Sequence, residues 1–126
     1  MRRERFERLH QLEAQGVADL ATRCARSTDA LMAACRPGNT GADLYRAWES
    51  VGNPESPVPL VHGLRLGTEP PLIGLGRGSH TTLEEGMVLS AQSWIAEKRV
   101  GGCLERATVL IESAGPSALT SCGRLT

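Results

Sequence analysis

The sequence predicts an α+β fold in which two amphipathic helices precede an antiparallel sheet. Apolar residues recur at steps of three and four in the first half of the chain, and shorter runs with alternating or continuous apolar character follow. Gly- and Pro-rich stretches separate these runs, as expected when helices and strands are segregated along the chain. A length of 126 residues fits one domain, with helices within 3–51 and a strand-rich half at 60–126.

The first helix is predicted from a long apolar stripe. It ends before Arg36 because Pro37 cannot continue a helix and Gly38 follows. We expect the whole stripe to face the core. Its positions are Phe6, Leu9, Val17, Leu20, Cys24, Thr28, Leu31 and Cys35.

The second helix has a clear start and stop. Thr40 followed three residues later by Asp43 resembles a capping box, which satisfies backbone N–H groups at a helix N-terminus. Gly52 ends the helix. Its inner stripe consists of Leu44, Trp48 and Val51.

The second half of the chain reads as strands and turns. Residues 53–60 contain three prolines and are predicted to be irregular. Strands are predicted at 61–66, 87–95 and 104–112, with the Gly-Gly pair placing a turn at 97–102. The final segment, SAGPSALT, is predicted to form a turn.

Composition excludes several classes of function. The 14 basic and 14 acidic residues cancel, so no net field favours nucleic acid or an anionic membrane. No apolar run approaches the roughly 18 residues that a membrane span requires. The cysteines show no CxxC spacing, which indicates free thiols and a cytoplasmic protein. They are Cys24, Cys35, Cys103 and Cys122.

Three polar residues in the strand half are candidates for a site. Gln92 and Glu105 lie on the two strands of one predicted hairpin, so they could face each other, and His62 could approach from a third strand. Three such groups make a sparse metal site, since zinc takes three or four ligands. A hydrogen-bonded structural histidine and an edge pair between Glu105 and Arg106 are the alternatives.

Three segments resemble consecutive motifs of the pita-bread metallopeptidase family, which includes methionine aminopeptidases, Xaa-Pro aminopeptidases, Xaa-Pro dipeptidases and the metal-free creatinases. They read HGLRLGTEPPLIG from residue 62, LEEGMVLSAQSWI from residue 83 and GGCLERATVLIESAGPSALT from residue 101. The helix sequence PGNTGADLYRAW is similar to a helix pair of that family. The resemblance implies the C-terminal half of a pita-bread domain, with two helices packed on a curved antiparallel sheet.

The resemblance also implies a degenerate metal site. In the family, two aspartates, one histidine and two glutamates hold two metals. The resemblance places His62 on the histidine and Glu105 on the last glutamate, while Gln92 replaces the other glutamate. Thr68 stands where a second histidine is usual, and Thr68, Glu69 and Gln92 are implied to contact substrate. Both aspartates would lie ahead of this sequence, so a divalent metal (Mn, Co or Zn) is expected only if the missing ligands are supplied.

The resemblance therefore implies an Xaa-Pro peptidase-like domain that is truncated and inactive as a metallo-aminopeptidase on its own. One alternative is a metal-free, creatinase-like hydrolase or lyase that uses His62 as its acid–base group. Another is part of a split or truncated Xaa-Pro dipeptidase or aminopeptidase that needs an aspartate-bearing segment. The expected partners are a second copy or that complementary N-terminal segment, and the expected ligand is a small peptide or amine.

Overall fold

Seven helices and strands make up the part of the chain that the structure describes. The computed structural model describes residues 3–64 and 68–119, except for the side chains of residues 6, 68 and 69. The elements are α1 (Arg3–Ala33), α2 (Gly41–Ser50), β1 (Val61–Leu64), β2 (Thr68–Ile73), β3 (Val88–Glu97), β4 (Gly101–Glu112) and β5 (Gly115–Ala118). None of the helices in these ranges is long and apolar enough to cross a membrane.

The five strands form one antiparallel sheet in the order β2-β1-β3-β4-β5. This confirms the predicted α+β class. The two edge strands, β2 and β5, were not predicted. β2 contains Pro70 and Pro71, and β5 contains Pro116. Proline lacks an N–H for the sheet ladder and is tolerated mainly at sheet edges, which explains both the missed strands and their places.

Only the second half of α1 is buried. The buried side chains begin at Leu20, whereas Leu9 and Val17 are 44% and 57% exposed, so the prediction that the whole stripe faces the core is wrong. The side chain of Phe6 lies outside the described residues. Val100, in the β3–β4 turn, is the residue nearest to Gly16 of α1. The midpoint of the helix therefore meets the tip of the sheet, and no strand of the described residues lies beneath its first turns.

The predicted second helix and its cap are confirmed. The carboxylate of Asp43 accepts a hydrogen bond from the Thr40 N–H at 2.8 Å and also contacts the Arg46 guanidinium. These contacts, the backbone bond first, hold the pKa of Asp43 below its usual value. Only glycine fits at position 41 without a steric clash, because a Cβ there would lie 1.8 Å from the Gly78 carbonyl oxygen.

The β3–β4 hairpin is longer than predicted. β4 begins at Gly101 rather than at residue 104, so the Gly-Gly pair belongs to the strand and the turn narrows to residues 98–100. Arg99 takes the positive φ of this turn, at 79°. The register pairs Glu97 with Gly101 at one end and Val88 with Leu110 at the other.

The sheet has two distinct faces. α1 packs on β3 and β4, and α2 packs on α1. The Thr28 hydroxyl of α1 donates to the Ser93 hydroxyl at 2.9 Å, which fixes the surface we call the helix face. Successive side chains alternate between faces, so neighbours of Ser93 in β3 point the other way, onto what we call the open face. On β3 and β4 the buried helix-face residues are Leu89, Ala91, Ser93, Ile95, Ala107, Val109 and Ile111.

Candidate functional site

His62 lies on the open face in the middle of the sheet. It is half-buried on β1 and stands directly opposite Ser90 of β3. Its Nδ1 lies 3.1 Å from the carbonyl oxygen of Gly63. A carbonyl can only accept, so Nδ1 is the donor in this contact, and in the neutral ring the lone pair then lies on Nε2. The ring is thereby oriented with one nitrogen able to accept a proton or bind a ligand.

Gln92 lies on the same face and has both ends of its amide occupied. Its side chain is only 6% exposed. The amide nitrogen donates to the Pro59 carbonyl at 2.9 Å, and the amide oxygen accepts from the Arg106 Nε at 3.1 Å. These two contacts fix the amide orientation and direct its oxygen towards a guanidinium.

Glu105 does not join this pair. The register pairs Gln92 with Arg106 and Ser93 with Glu105, so Glu105 lies on the helix face. The prediction that Gln92 and Glu105 face each other is therefore wrong. A shift of one residue in a strand moves a side chain to the opposite face.

The surroundings of Cys24 confirm where Glu105 lies. The Cys24 thiol, on α1, donates to the carbonyls of Ser93 and Cys103 at 3.4 and 3.5 Å. Burial, followed by a contact with the Cys103 thiol and by the charge of Glu105, raises the pKa of Cys24 to about 12. Glu105 thus acts on a residue of α1, beneath the helix, and not on the open face.

The other predicted site residues are only partly described. Thr68 and Glu69 belong to β2, where their backbones pair with Leu64 and Gly63, but their side chains lie outside the described residues. His62 and Gln92 are brought onto one face, on adjacent strands and offset by two residues. Such diagonal neighbours are separated by about 7 Å.

The polar residue that the sequence analysis missed is Arg106. The register places it where a carboxylate facing Gln92 was expected. In the sequence, Glu105 and Arg106 are adjacent, and the apolar run from 109 to 111 does not say which of them shares a face with Gln92. Only the strand register separates the two.

This donor set does not fit a divalent metal. Within residues 3–64 and 68–119, no group of three or more His, Cys, Asp or Glu side chains is arranged to hold one. On the open face, His62 and Gln92 offer one imidazole and one amide already bound to Arg106. Zinc takes three or four N, S or O ligands, and harder ions take several carboxylates.

A cavity of about 360 Å³ adjoins the other end of β1, between β2 and the start of β3. It is lined by Gly63, Leu64, Pro70, Pro71, Gly86, Met87, Val88 and Leu89. None of these lining side chains is ionisable.

Comparisons with known proteins agree on a family and a fold. The model of metallopeptidase family M24 matches residues 10–113. Solved structures that match include the prolidase from Pyrococcus furiosus (26% identity, TM-score 0.74) and the X-Pro aminopeptidase from Thermotoga maritima MSB8 (20%, 0.73). A prolidase from Pyrococcus horikoshii OT3 matches at 23% identity and TM-score 0.73. No curated protein matches the sequence significantly.

The extent of these matches is unequal. The P. furiosus, T. maritima and P. horikoshii matches cover 85%, 87% and 85% of this chain but 33%, 32% and 32% of the solved chains. The chain thus spans about a third of the length of these relatives. The architecture is that of part of a pita-bread domain of Xaa-Pro peptidases, as the sequence motifs predicted.

Proposed function

Because the chain belongs to metallopeptidase family M24, we propose that it is an Xaa-Pro peptidase-like domain that does not perform metal-dependent hydrolysis on its own. One observation carries this proposal: the guanidinium of Arg106 bonds to Gln92 on the face that holds His62. A fixed positive charge stands where a dication would need negative ligands. Metal chemistry in such sites depends on a bound ion that activates water, and among the described residues no group of three or more His, Cys, Asp or Glu side chains is arranged to hold one.

Hydrolysis of Xaa-Pro dipeptides tests the proposal. The chain would be incubated with Ala-Pro and each of Mn²⁺, Co²⁺ and Zn²⁺, and release of free proline would be measured. We expect no release above that of a His62→Ala variant, which controls for contaminating peptidases. Turnover that a chelator abolishes and that His62→Ala removes would overturn the proposal.

A second candidate function is metal-free acid–base catalysis by His62. The contact between Nδ1 and the Gly63 carbonyl favours it, because it leaves the Nε2 lone pair to accept a proton. Glu105 cannot hold a cationic substrate beside this imidazole, since it lies on the other face. Proline release in excess chelator, lost in His62→Gln but retained in Arg106→Gln, would support this function. Equal activity in His62→Gln would exclude it.

We propose that a partner covers the open face of the sheet. Leu104 is 45% exposed on the open face, and the described part of the chain covers that face with no helix. A second copy could cover it in a homodimer, or a complementary segment bearing the two aspartates could do so. We expect sedimentation equilibrium to show a dimer at micromolar concentration, and a monomer would contradict the homodimer. The free thiols Cys24, Cys35 and Cys103 support a cytoplasmic location.

A further inference from the structure

A second cavity, which neither His62 nor Gln92 lines, lies at the C-terminal end of α2. It has a volume of about 420 Å³ and is enclosed by that helix end, the loop at 53–56 and the turn at 74–76. Tyr45 and Trp48 line one wall, with Trp48 only 3% exposed, and Leu75 is 48% exposed. Leu75 holds a left-handed backbone, with φ at 55°, between two glycines.

The charge of this cavity is negative. Glu49 and Glu55 are both exposed and both line it, while no Lys, Arg or His side chain does. Within the described ranges, neither carboxylate takes part in an ion pair. The last turn of α2 carries no basic residue, so the negative end of the helix dipole adds to the same potential.

The hydrogen-bond donors of the wall are already used. The Trp48 indole N–H donates to the Pro54 carbonyl at 2.7 Å, and the Tyr45 hydroxyl donates to the Arg77 carbonyl at 2.8 Å. The Asn53 amide donates to the Ser27 hydroxyl at 2.7 Å. An anion would find few donors here, whereas a cation would meet two carboxylates. The same bonds fix the aromatic wall before any ligand arrives, which lowers the entropy lost on binding.

We propose that this cavity binds a guanidinium group. Guanidinium is planar, weakly hydrated and able to pack on aromatic rings, and its paired N–H groups match a carboxylate. An ammonium ion is more strongly hydrated and gains less from the partly exposed Tyr45 ring. Neither His62 nor Gln92 lines this cavity, so the proposal does not depend on the function proposed for the open face.

NMR titration tests the proposal on the whole chain. The probes are argininamide and the peptide acetyl-Ala-Arg-Ala-amide, each compared with its citrulline counterpart, which has the same shape but no charge. We expect saturable shifts of the Trp48 indole N–H and the Gly74 and Gly76 amides with the arginine probes alone. Comparing the two arginine probes shows whether a free small molecule or a peptide side chain is the better source of the group.

Matched variants establish the role of the carboxylates. Glu49→Gln with Glu55→Gln should weaken binding about tenfold, since each exposed ionic contact contributes a factor of about three. Glu84→Gln with Glu85→Gln removes two exposed carboxylates outside the cavity and should leave binding unchanged. Equal binding of citrulline, no shift at Trp48, or equal weakening by both double variants would overturn the proposal.

Discussion

The charge on the open face predicts how metal affinity will respond to substitution. A metal bound at the Gln92 oxygen would lie about 5 Å from the Arg106 guanidinium, because Nε is already 3.1 Å from that oxygen. The repulsion between a dication and this charge is about 1.7 kcal/mol in water and about 7 kcal/mol at the dielectric response typical near a protein surface. Arg106 is exposed, so the lower value applies, which corresponds to about a twentyfold loss of affinity.

We therefore expect the Gln92→Glu and Arg106→Glu double variant to gain Mn²⁺ affinity. It removes the positive charge and places two carboxylates beside His62 on one face, which should give a dissociation constant of about 1 mM or tighter. Arg106→Gln alone removes the repulsion without adding a charged ligand, so its gain should be smaller. Isothermal titration calorimetry measures both variants against the unchanged chain.

Two controls separate this effect from a general change of charge. Arg99→Glu inverts a charge in the β3–β4 turn and should not create a site. Glu105→Gln removes the carboxylate of the helix face and should leave metal affinity unchanged. If the double variant binds Mn²⁺ no better than Arg99→Glu, or if Glu105→Gln lowers metal affinity, the assignment of faces is wrong.

Three further predictions concern stability and thiol chemistry. Gly41→Ala should lower the melting temperature by about 5–10 °C. The new Cβ would force apart the backbone hydrogen bonds from Gly41 to Thr81 and from Ala42 to Ser79, which together contribute about 1–3 kcal/mol. Gly16→Ala is the control, because its new Cβ meets only the movable Val100 side chain and should change the melting temperature little. Iodoacetamide at pH 8 should leave Cys24 and Cys35 unlabelled in the native state, as peptide mass spectrometry would show, because burial raises both pKa values to about 12. Asp43→Asn should be less stable than the natural chain above about pH 4, as urea denaturation would measure. Because folding lowers the pKa of Asp43, this difference in stability should vanish as the pH falls through the pKa of Asp43 in the folded protein.

Local signals in the sequence were sufficient for much of the fold. The second helix follows from the Thr40–Asp43 spacing and from Gly52, since caps and stops act within a few residues. The β3–β4 hairpin follows from its two apolar runs, but the Gly-Gly pair that was expected to form the turn belongs to β4. The edge strands were missed because their prolines oppose strand formation locally and are tolerated only through the position of those strands in the sheet.

The burial of α1 and the face on which Glu105 lies depend on contacts between residues far apart in the sequence, so local signals could not predict them. The apolar residues Leu9 and Val17 have helical spacing, yet both are exposed, because the N-terminal half of the helix extends beyond the tip of the sheet. The prediction that Glu105 faces Gln92 is wrong for a related reason. The run at 109–111 is apolar at every position, so it gives no alternation from which the face of either residue could be inferred.

The most direct test of the proposed loss of metal binding is an NMR titration of the unchanged chain with Mn²⁺, whose paramagnetism broadens signals near a bound ion. Amide signals of His62, Gln92 and Arg106 would be followed together with those of the exposed start of α1. We expect weak, uniform broadening with no preference for the open face. Saturable broadening centred on His62 and Gln92 would show that this face binds metal despite Arg106, and would contradict the proposed function.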